Sequence, residues 1–461
     1  MTETEFKKDR FGIDWSKKTL GTRFWKRPHI GRRMFFRHMA SAVGGYFLLP
    51  TRPAETIARA NPSTKGTAKN CIFILMSGGP SHVDTFDLKE GAWTPAGFAP
   101  TSYGSIRWPK GLMPNLANQL DSISLVRSVK PWALVHVLAR TWVMIGRNPA
   151  SSNARFAPHI GSVVSQEFTA LDPNAVLPVF ASLNTATGPT SGFLPTQNNP
   201  FYIFPGGGGL ANTTHSAGTA RFDRRFGLAT NLDAEIRDND PLGDSVNDKF
   251  TYNAAARKLM YNSTVDSIFT FDQAEKNRYG NTSFGNACIA ARRMLKANAG
   301  TRFIQITQGD WDHHENIYQA NSGHYAAAKT FDNGLATLIA DLRADGTLDQ
   351  TLIVCIGEFG RVPGALNGTA GRDHYQQQAV LMAGGGIKGR NTIGTTDSIG
   401  KATLDPGWSA GRDIRAEDIE ATIYSALGID YTKNLADPSG RGFRYVPFTD
   451  VEYLPINELW G

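Results

Sequence analysis

Three short stretches of the chain mix carboxylate and imidazole side chains at spacings that could gather them on one site. The first is Ser77-Gly-Gly-Pro-Ser-His82-Val-Asp84-Thr-Phe-Asp87, and the second is Gln308-Gly-Asp310-Trp-Asp312-His313-His314-Glu315-Asn316. The third is Gly357-Glu358-Phe-Gly-Arg361, followed a short loop later by Gly371-Arg372-Asp373-His374. Carboxylate and imidazole together are the ligand set of a divalent ion that activates water or clamps a phosphate or sulfate ester. On that reading Asp84, Asp312, His314, Glu358, Asp373 and His374 are candidate ligands for zinc, manganese or calcium. Arg361 and Arg372 are candidates for holding an anionic group. Each Asp-His pair taken alone has a plainer reading as a hydrogen-bonded loop contact, and each arginine as a loop-bracing ion pair.

The elements that must position these clusters are legible as short apolar runs at residues 71–76, 123–127, 176–181, 301–307, 351–356 and 379–383. Each reads as a buried strand. Between them lie amphipathic helices, clearest where Phe331, Leu335, Leu338, Ile339 and Leu342 make one apolar face, with Ile419, Ile423 and Leu427 repeating the pattern. Strands alternating with helices predict an α/β fold with a largely parallel sheet covered on both faces, and the runs at 71–76 and 351–356, apolar on both sides, belong at its centre. The three clusters follow strands, and open α/β sheets collect ligands at the carboxyl ends of their strands. Residues 184–250, rich in Gly, Pro, Asn and Thr, read as an irregular surface excursion, and the four glycines at 206–209 lack the spacing of a phosphate-binding loop.

Charge separates the chain into two parts. Residues 1–60 hold 13 Lys and Arg against 5 Asp and Glu, and the remaining residues hold 35 against 36. The basic character therefore belongs to an N-terminal extension, residues 1–60, and the domain that follows, residues 61–461, carries no charge excess that would suit nucleic acid. Arg32 and Arg33, followed by Phe35, Phe36 and Arg37 and a short apolar run to Pro50, form a twin-arginine export pattern, with Ala58-Arg59-Ala60 as a small-x-small cleavage site. The pattern predicts a periplasmic or cell-envelope protein. Ahead of it, Phe6, Phe11, Trp15, Phe24 and Trp25 alternate with Lys and Arg, so an uncleaved arm at residues 1–40 would suit a membrane surface or a protein partner. Cys71, Cys288 and Cys355 form no metal or redox motif and read as buried free thiols.

Several motifs carry a family resemblance. In order they are Gly-Gly-Pro-Ser-His-Val-Asp-Thr-Phe-Asp, Trp-Asp-His-His-Glu-Asn, Asp-Asn-Gly-Leu, Gly-Glu-Phe-Gly-Arg-Val-Pro, Gly-Arg-Asp-His-Tyr, Ala-Gly-Gly-Gly-Ile-Lys-Gly and Gly-Thr-Thr-Asp. They resemble the bacterial domain of unknown function family 1501, over residues 20–430 or so. That resemblance implies the alkaline phosphatase and sulfatase superfamily, hence a three-layer α/β/α, alkaline phosphatase-like fold and metal-dependent hydrolysis of phosphate or sulfate esters.

The site motifs depart from that superfamily. Ser77-Gly78 stands where the superfamily has a metal-binding Asp-Gly, and Gly357-Glu358-Phe359-Gly360 where it has Ser-Asp-His-Gly. No histidine follows His374, no Cys-x-Pro-x-Arg signature is present, and residues 128–136 offer no Ser or Thr at a helix start apart from Ser128, so no catalytic nucleophile is assigned. The altered motifs favour a degenerate, non-catalytic envelope or assembly subunit, without a metal and within an oligomer or larger assembly. The alternative is a periplasmic metal-dependent hydrolase of phosphate or sulfate esters. Replacing both Arg32 and Arg33 by Lys is expected to leave the protein in the cytoplasm; cell fractionation checks this, and unchanged periplasmic yield would refute the export assignment.

Overall fold

The computed structural model describes residues 63–461, apart from 152–155, 173–174, 235–243, 321–322, 438–439 and 461. The N-terminal extension, including Arg32, Arg33 and the arm at residues 1–40, lies outside the described residues. Residues 62–461 fold as one compact unit. Among the described residues no helix is long and apolar enough to cross a membrane.

Among the described residues eight strands form the central sheet: β1 (Asn70–Met76), β2 (Ile123–Val129), β3 (Phe180–Leu183), β4 (Phe201–Ile203), β5 (Phe303–Gln308), β6 (Thr351–Gly357), β7 (Gln378–Ala383) and β8 (Asn391–Ile393). Their spatial order is β8-β2-β7-β6-β1-β5-β3-β4. β6 and β1 therefore lie in the middle, where their unbroken apolar runs belong. Ile74 sits beside Ile306 on one side and Cys355 on the other.

The sheet is mostly, not wholly, parallel, because β7 runs antiparallel to both β2 and β6. The other seven strands share one direction. As a result their carboxyl ends meet along one edge, and the residues leading into β7 arrive at that same edge.

Alternation along β1 builds two cores. Ile72, Ile74 and Met76 pack on one face with Ile289 of α3 (Ser283–Ala297) and with Phe331, Leu335 and Ile339 of α4 (Gly323–Ala344). Cys71, Phe73 and Leu75 pack on the other with Val163 and Val164 of α2 (Ile160–Phe168) and with Ile419 and Ile423 of α5 (Ala416–Ala426). The result is a three-layer α/β/α architecture. All three cysteines are free and buried. Residues 184–250 prove less irregular than their composition suggests. They contain β4, a helix at Thr219–Leu232 with no buried residue, and the start of a helix at Asp244–Leu259. A helix that buries nothing leaves no apolar stripe for a sequence reading to detect.

The helix that matters most for the site is α1 (His136–Ile145), which follows β2. It is fastened to α5 at both ends. Glu417 accepts hydrogen bonds from the indole N–H of Trp142 (2.8 Å) and of Trp132 (3.0 Å), and Trp132 lies stacked on Trp142. At the far end Gly146 takes φ +57°, and a Cβ there would fall 1.7 Å from Glu420 Oε2, so only glycine closes this helix against α5. Arg415 covers the loop into α1, its guanidinium 3.9 Å from the centre of the Trp132 ring and bonded to the Lys130 and Pro131 carbonyls.

Burial raises the Glu420 carboxyl to about 8 against an ordinary 4.5, and its Oε2 has no hydrogen-bond partner. The folded protein therefore holds a proton there that the unfolded chain releases, and stability falls as pH rises from about 4.5 to about 8. Glu420→Gln removes the titration, so the parent should lose stability relative to the variant across that window. Urea melts at several pH values check this, and parallel pH dependence in the two proteins would show Glu420 to be ionised in the fold.

Candidate metal centre

Four side chains from three parts of the chain converge at the carboxyl edge: His136, Asp312, His314 and His374 each offer one ligand atom, all within 4.8 Å of one another. Asp312 and His314 come from the loop after β5. Buried Trp311 anchors that loop by donating to Gln308 Oε1 and packing edge-on against Phe331, which leaves its neighbours facing outward. His374 opens a two-residue ribbon that pairs with Gly360–Arg361, just past β6. His136 is the first residue of α1.

Each imidazole is fixed through the nitrogen that faces away from the group. His136 Nδ1 lies 2.5 Å from Glu358 Oε2, His314 Nδ1 lies 2.7 Å from Asp373 Oδ1, and His374 Nδ1 lies 2.8 Å from the Leu134 carbonyl. A carboxylate or carbonyl can only accept, so all three Nδ1 atoms donate, and in the neutral rings the three Nε2 lone pairs point inward. This is how proteins orient metal-binding histidines.

The inward atoms lie close together. His314 Nε2 is 3.1 Å from His374 Nε2 and 3.1 Å from Asp312 Oδ1; His136 Nε2 is 3.2 Å from Asp312 Oδ2, and His374 Nε2 is 3.8 Å from Asp312 Oδ1. Four donors bound at 2.0–2.1 Å to one tetrahedral ion stand about 3.3 Å apart. Two imidazole nitrogens 3.1 Å apart need a proton or a metal ion between them, His314 Nε2 also accepts from Arg361 Nη1 at 3.3 Å, and His136 Nε2 is buried without a hydrogen-bond partner. The residues therefore fit a zinc-like ion.

Electrostatics around the group favour an ionised Asp312 and a neutral His374. Burial pushes the Asp312 carboxyl up, but the Arg361 guanidinium at 2.5 Å, together with His136 and His314, outweighs it and holds Asp312 below the usual carboxylate range. Burial, helped by Arg361 and the two neighbouring imidazoles, lowers His374. The hydrogen bond from His314 lowers Asp373. The Phe359 ring, fully buried, lies 4.3 Å from the His374 ring and 4.8 Å from that of His136, centre to centre, and forms an apolar floor.

Of the six ligands expected from the sequence, three (Asp312, His314 and His374) join this group. Glu358 and Asp373 stand behind it as acceptors for His136 and His314. Glu358 is completely buried and also takes hydrogen bonds from Ser77 Oγ and the Gly78 N–H, both at 3.1 Å. Asp84 lies elsewhere. It is buried in an ion pair with Arg372 (2.8 Å) and accepts from Tyr318 Oη at 2.6 Å.

Neither arginine expected at an anion faces an opening. Arg372 also donates to the Val362 and Gly364 carbonyls, and Arg361 donates to Gly78, Gly79 and Arg372 carbonyls and to Asp312. A buried guanidinium must satisfy its N–H groups internally, and these two staple the three loops together. Gly78, at φ +108°, makes the stapling feasible, because a Cβ there would lie 2.6 Å from the Asp312 backbone nitrogen.

His136 is the ligand that sequence reasoning missed. It stands alone between apolar residues, and the available signal was its place at a helix start directly after a strand, at the ligand-binding edge.

The chain matches the family described as "Protein of unknown function (DUF1501)" over residues 68–454, starting and ending later than the motifs suggested. No curated protein matches it. Solved structures that superimpose on it include a protein in the alkaline phosphatase superfamily from Vibrio parahaemolyticus, with 12% identity over 82% of this chain and 72% of that one and a TM-score of 0.38. The PsFucS1 sulfatase from Pseudoalteromonas sp. gives 12% identity over 79% and 69%, TM-score 0.38. The lipoteichoic acid synthase LtaP from Listeria monocytogenes gives 10% over 80% and 74%, TM-score 0.38. Scores this low transfer nothing to the site described above.

His136→Ala is expected to reduce bound zinc from one equivalent per chain to well under half, measured by elemental analysis after dialysis. Asp84→Asn should leave zinc content unchanged while lowering stability by about 3–5 kcal/mol in denaturant melts, since it strands a buried guanidinium. Loss of zinc in a folded Asp84→Asn protein would place Asp84 in the metal centre after all.

Proposed function

The chain belongs to the DUF1501 family, and we propose that it is a divalent-metal-dependent hydrolase of phosphate or sulfate esters, exported to the periplasm or cell envelope, with His136, Asp312, His314 and His374 as ligands. The observation that carries this reading is the inward convergence of three anchored imidazole Nε2 atoms on one carboxylate. A divalent ion bound there would supply Lewis-acid polarisation of an ester oxygen and acidify a water molecule.

The surrounding residues suit an anionic substrate. With neutral imidazoles, the carboxylates of Asp312, Glu358 and Asp373 exceed the guanidinium groups of Arg361 and Arg140 by one negative charge. A divalent ion turns this into one positive charge, so the site attracts an anion when loaded and repels it when empty. The side chains of Asp312 and His314 are each 45% exposed, which leaves room for an incoming group. Four protein donors already complete a tetrahedral shell, so water or an ester oxygen would have to enter from that exposed side as a fifth ligand.

The helix start where a Ser or Thr nucleophile would be expected is occupied by His136, so water is the attacking group that this residue set leaves. Glu358 holds His136 in place, Asp373 holds His314, and Arg361 keeps Asp312 ionised; none of the three needs to move during the reaction.

The absence of that nucleophile also favours a second reading, a non-catalytic envelope or assembly subunit that keeps the metal as a cross-link between loops. Its partner or membrane contact would run through residues 1–40.

Turnover separates the two. Zinc-loaded protein is expected to release 4-nitrophenol from 4-nitrophenyl phosphate or sulfate, with chelation abolishing the activity, added zinc restoring it, and His374→Ala lowering kcat by about a hundredfold or more. One tightly bound zinc without turnover of either ester would favour the subunit reading.

A further inference from the structure

A cavity of about 530 Å³ lies beside the metal centre, between α1 and the carboxyl ends of β1 and β5 and the loop after β3. Its size falls within the ~300–1,000 Å³ of small-molecule sites. Thr141, Thr185, Thr187, Thr190, Thr307 and Arg140 give it its chemical character. Among its described lining residues Arg140 carries the only charge, and none is aromatic or acidic.

The hydroxyls offer both halves of a hydrogen bond. Thr141 and Thr185 use their O–H on the carbonyls of Val137 (2.7 Å) and Thr187 (2.9 Å); the Thr141 oxygen is left as an acceptor, and that of Thr185, which already takes the Thr187 N–H at 3.3 Å, keeps one lone pair. Thr190 and Thr307 accept from Gly192 N and Gln305 Nε2, both at 3.4 Å, which leaves their O–H groups to donate. A wall of paired donors and acceptors matches ligand hydroxyls, each of which is itself donor and acceptor. It is a poor match for an alkyl chain, which satisfies none of these groups, or for a flat base, which would find no ring to stack on.

Arg140 joins this cavity to the metal centre. It lies one helical turn beyond His136 on α1, so the two side chains share a face. Its Nη1 is 3.2 Å from Ser77 Oγ and 3.9 Å from Glu358 Oε1, the carboxylate that also holds His136. With its side chain 38% exposed, Arg140 is half-free to meet an anion, unlike the two buried arginines of the loops.

We infer that this cavity is the substrate subsite and that it takes the polyhydroxylated body of a sugar or polyol monoester, with the ester group at Arg140 and the metal centre. The inference rests on the hydrolase reading. In the reaction, the oxygen of water bonds to phosphorus or sulfur as the ester bond to the sugar oxygen breaks. One water proton ends on the departing sugar hydroxyl and the other leaves with the released phosphate or sulfate.

The test uses the zinc-loaded full chain and the double variant Thr190→Val/Thr307→Val, with zinc content confirming that the variant retains the centre. The ratio of kcat/KM for glucose 6-phosphate, or glucose 6-sulfate, to that for the matching 4-nitrophenyl ester should fall at least about tenfold in the variant, from two lost hydrogen bonds. Calorimetric titration of the parent with the same sugar esters should show saturable binding that the variant weakens by a similar factor. An unchanged ratio together with unchanged binding would overturn the subsite. Binding that the variant weakens, in a protein that turns over no ester, would keep the subsite and remove the hydrolase reading. Turnover of the 4-nitrophenyl esters without binding of either sugar ester would do the reverse.

Discussion

A carboxylate with no access to water has to be compensated by its neighbours, and the carboxyl edge of this sheet is arranged so that Glu358 is. It stands just beyond β6, at the centre of the sheet, and accepts from Ser77 Oγ, the Gly78 N–H and His136 Nδ1. Those partners belong to the end of β1 and the start of α1. Satisfying one buried charge therefore sets the height of α1 over the sheet edge and the direction of the His136 ring. Removing the carboxylate would leave a partly buried imidazole and a backbone N–H unpaired at once, which makes the arrangement mutually dependent.

Arg361 is the complementary constraint. Its buried guanidinium binds carbonyls in the Gly78-Gly79 turn and at Arg372 and reaches Asp312, so three loops that approach from three strands are cross-linked by one side chain. The buried pair of Asp84 and Arg372 braces the same loops one layer further back. Groups that looked in sequence like ligands for a metal or an anion thus divide by depth. Asp312, His314 and His374, at the surface of the edge, face a common point, Asp84 and Arg372 beneath it neutralise each other, and Asp373, though exposed, is committed to His314. Burial accounts for the division, since an unpaired charge beneath the surface costs several kcal/mol while one at the rim is solvated.

The surface group is arranged to receive a cation. Three imidazoles whose outer nitrogens are all committed as donors present lone pairs to each other and to a carboxylate held ionised by Arg361. The fold commits the buried Glu358, the exposed Asp373 and a backbone carbonyl to hold that arrangement, which is how metal-binding imidazoles are oriented. α1 contributes to both halves of the site, with His136 in the ligand group and Arg140 on the cavity wall, so its attachment to α5 through Glu417 and the Gly146 turn bears on both.

Much of the architecture was legible in the sequence, because it depends on near neighbours. Continuous apolar runs marked β1 and β6 as central, the three- and four-residue spacing of Phe331 to Leu342 marked α4, and the position of polar clusters after strands marked the binding edge. Asp312, His314 and His374 were candidates for the same reason. The reversal of β7, the pairing of Asp84 with Arg372 and the role of Glu358 depended on distances between residues some 26 to 290 positions apart, which strand order and register determine and no local pattern encodes. His136 shows the difference most clearly: a single imidazole among apolar residues has no periodicity to betray it, and only the packing of α1 against the end of β6 turned it toward the metal centre.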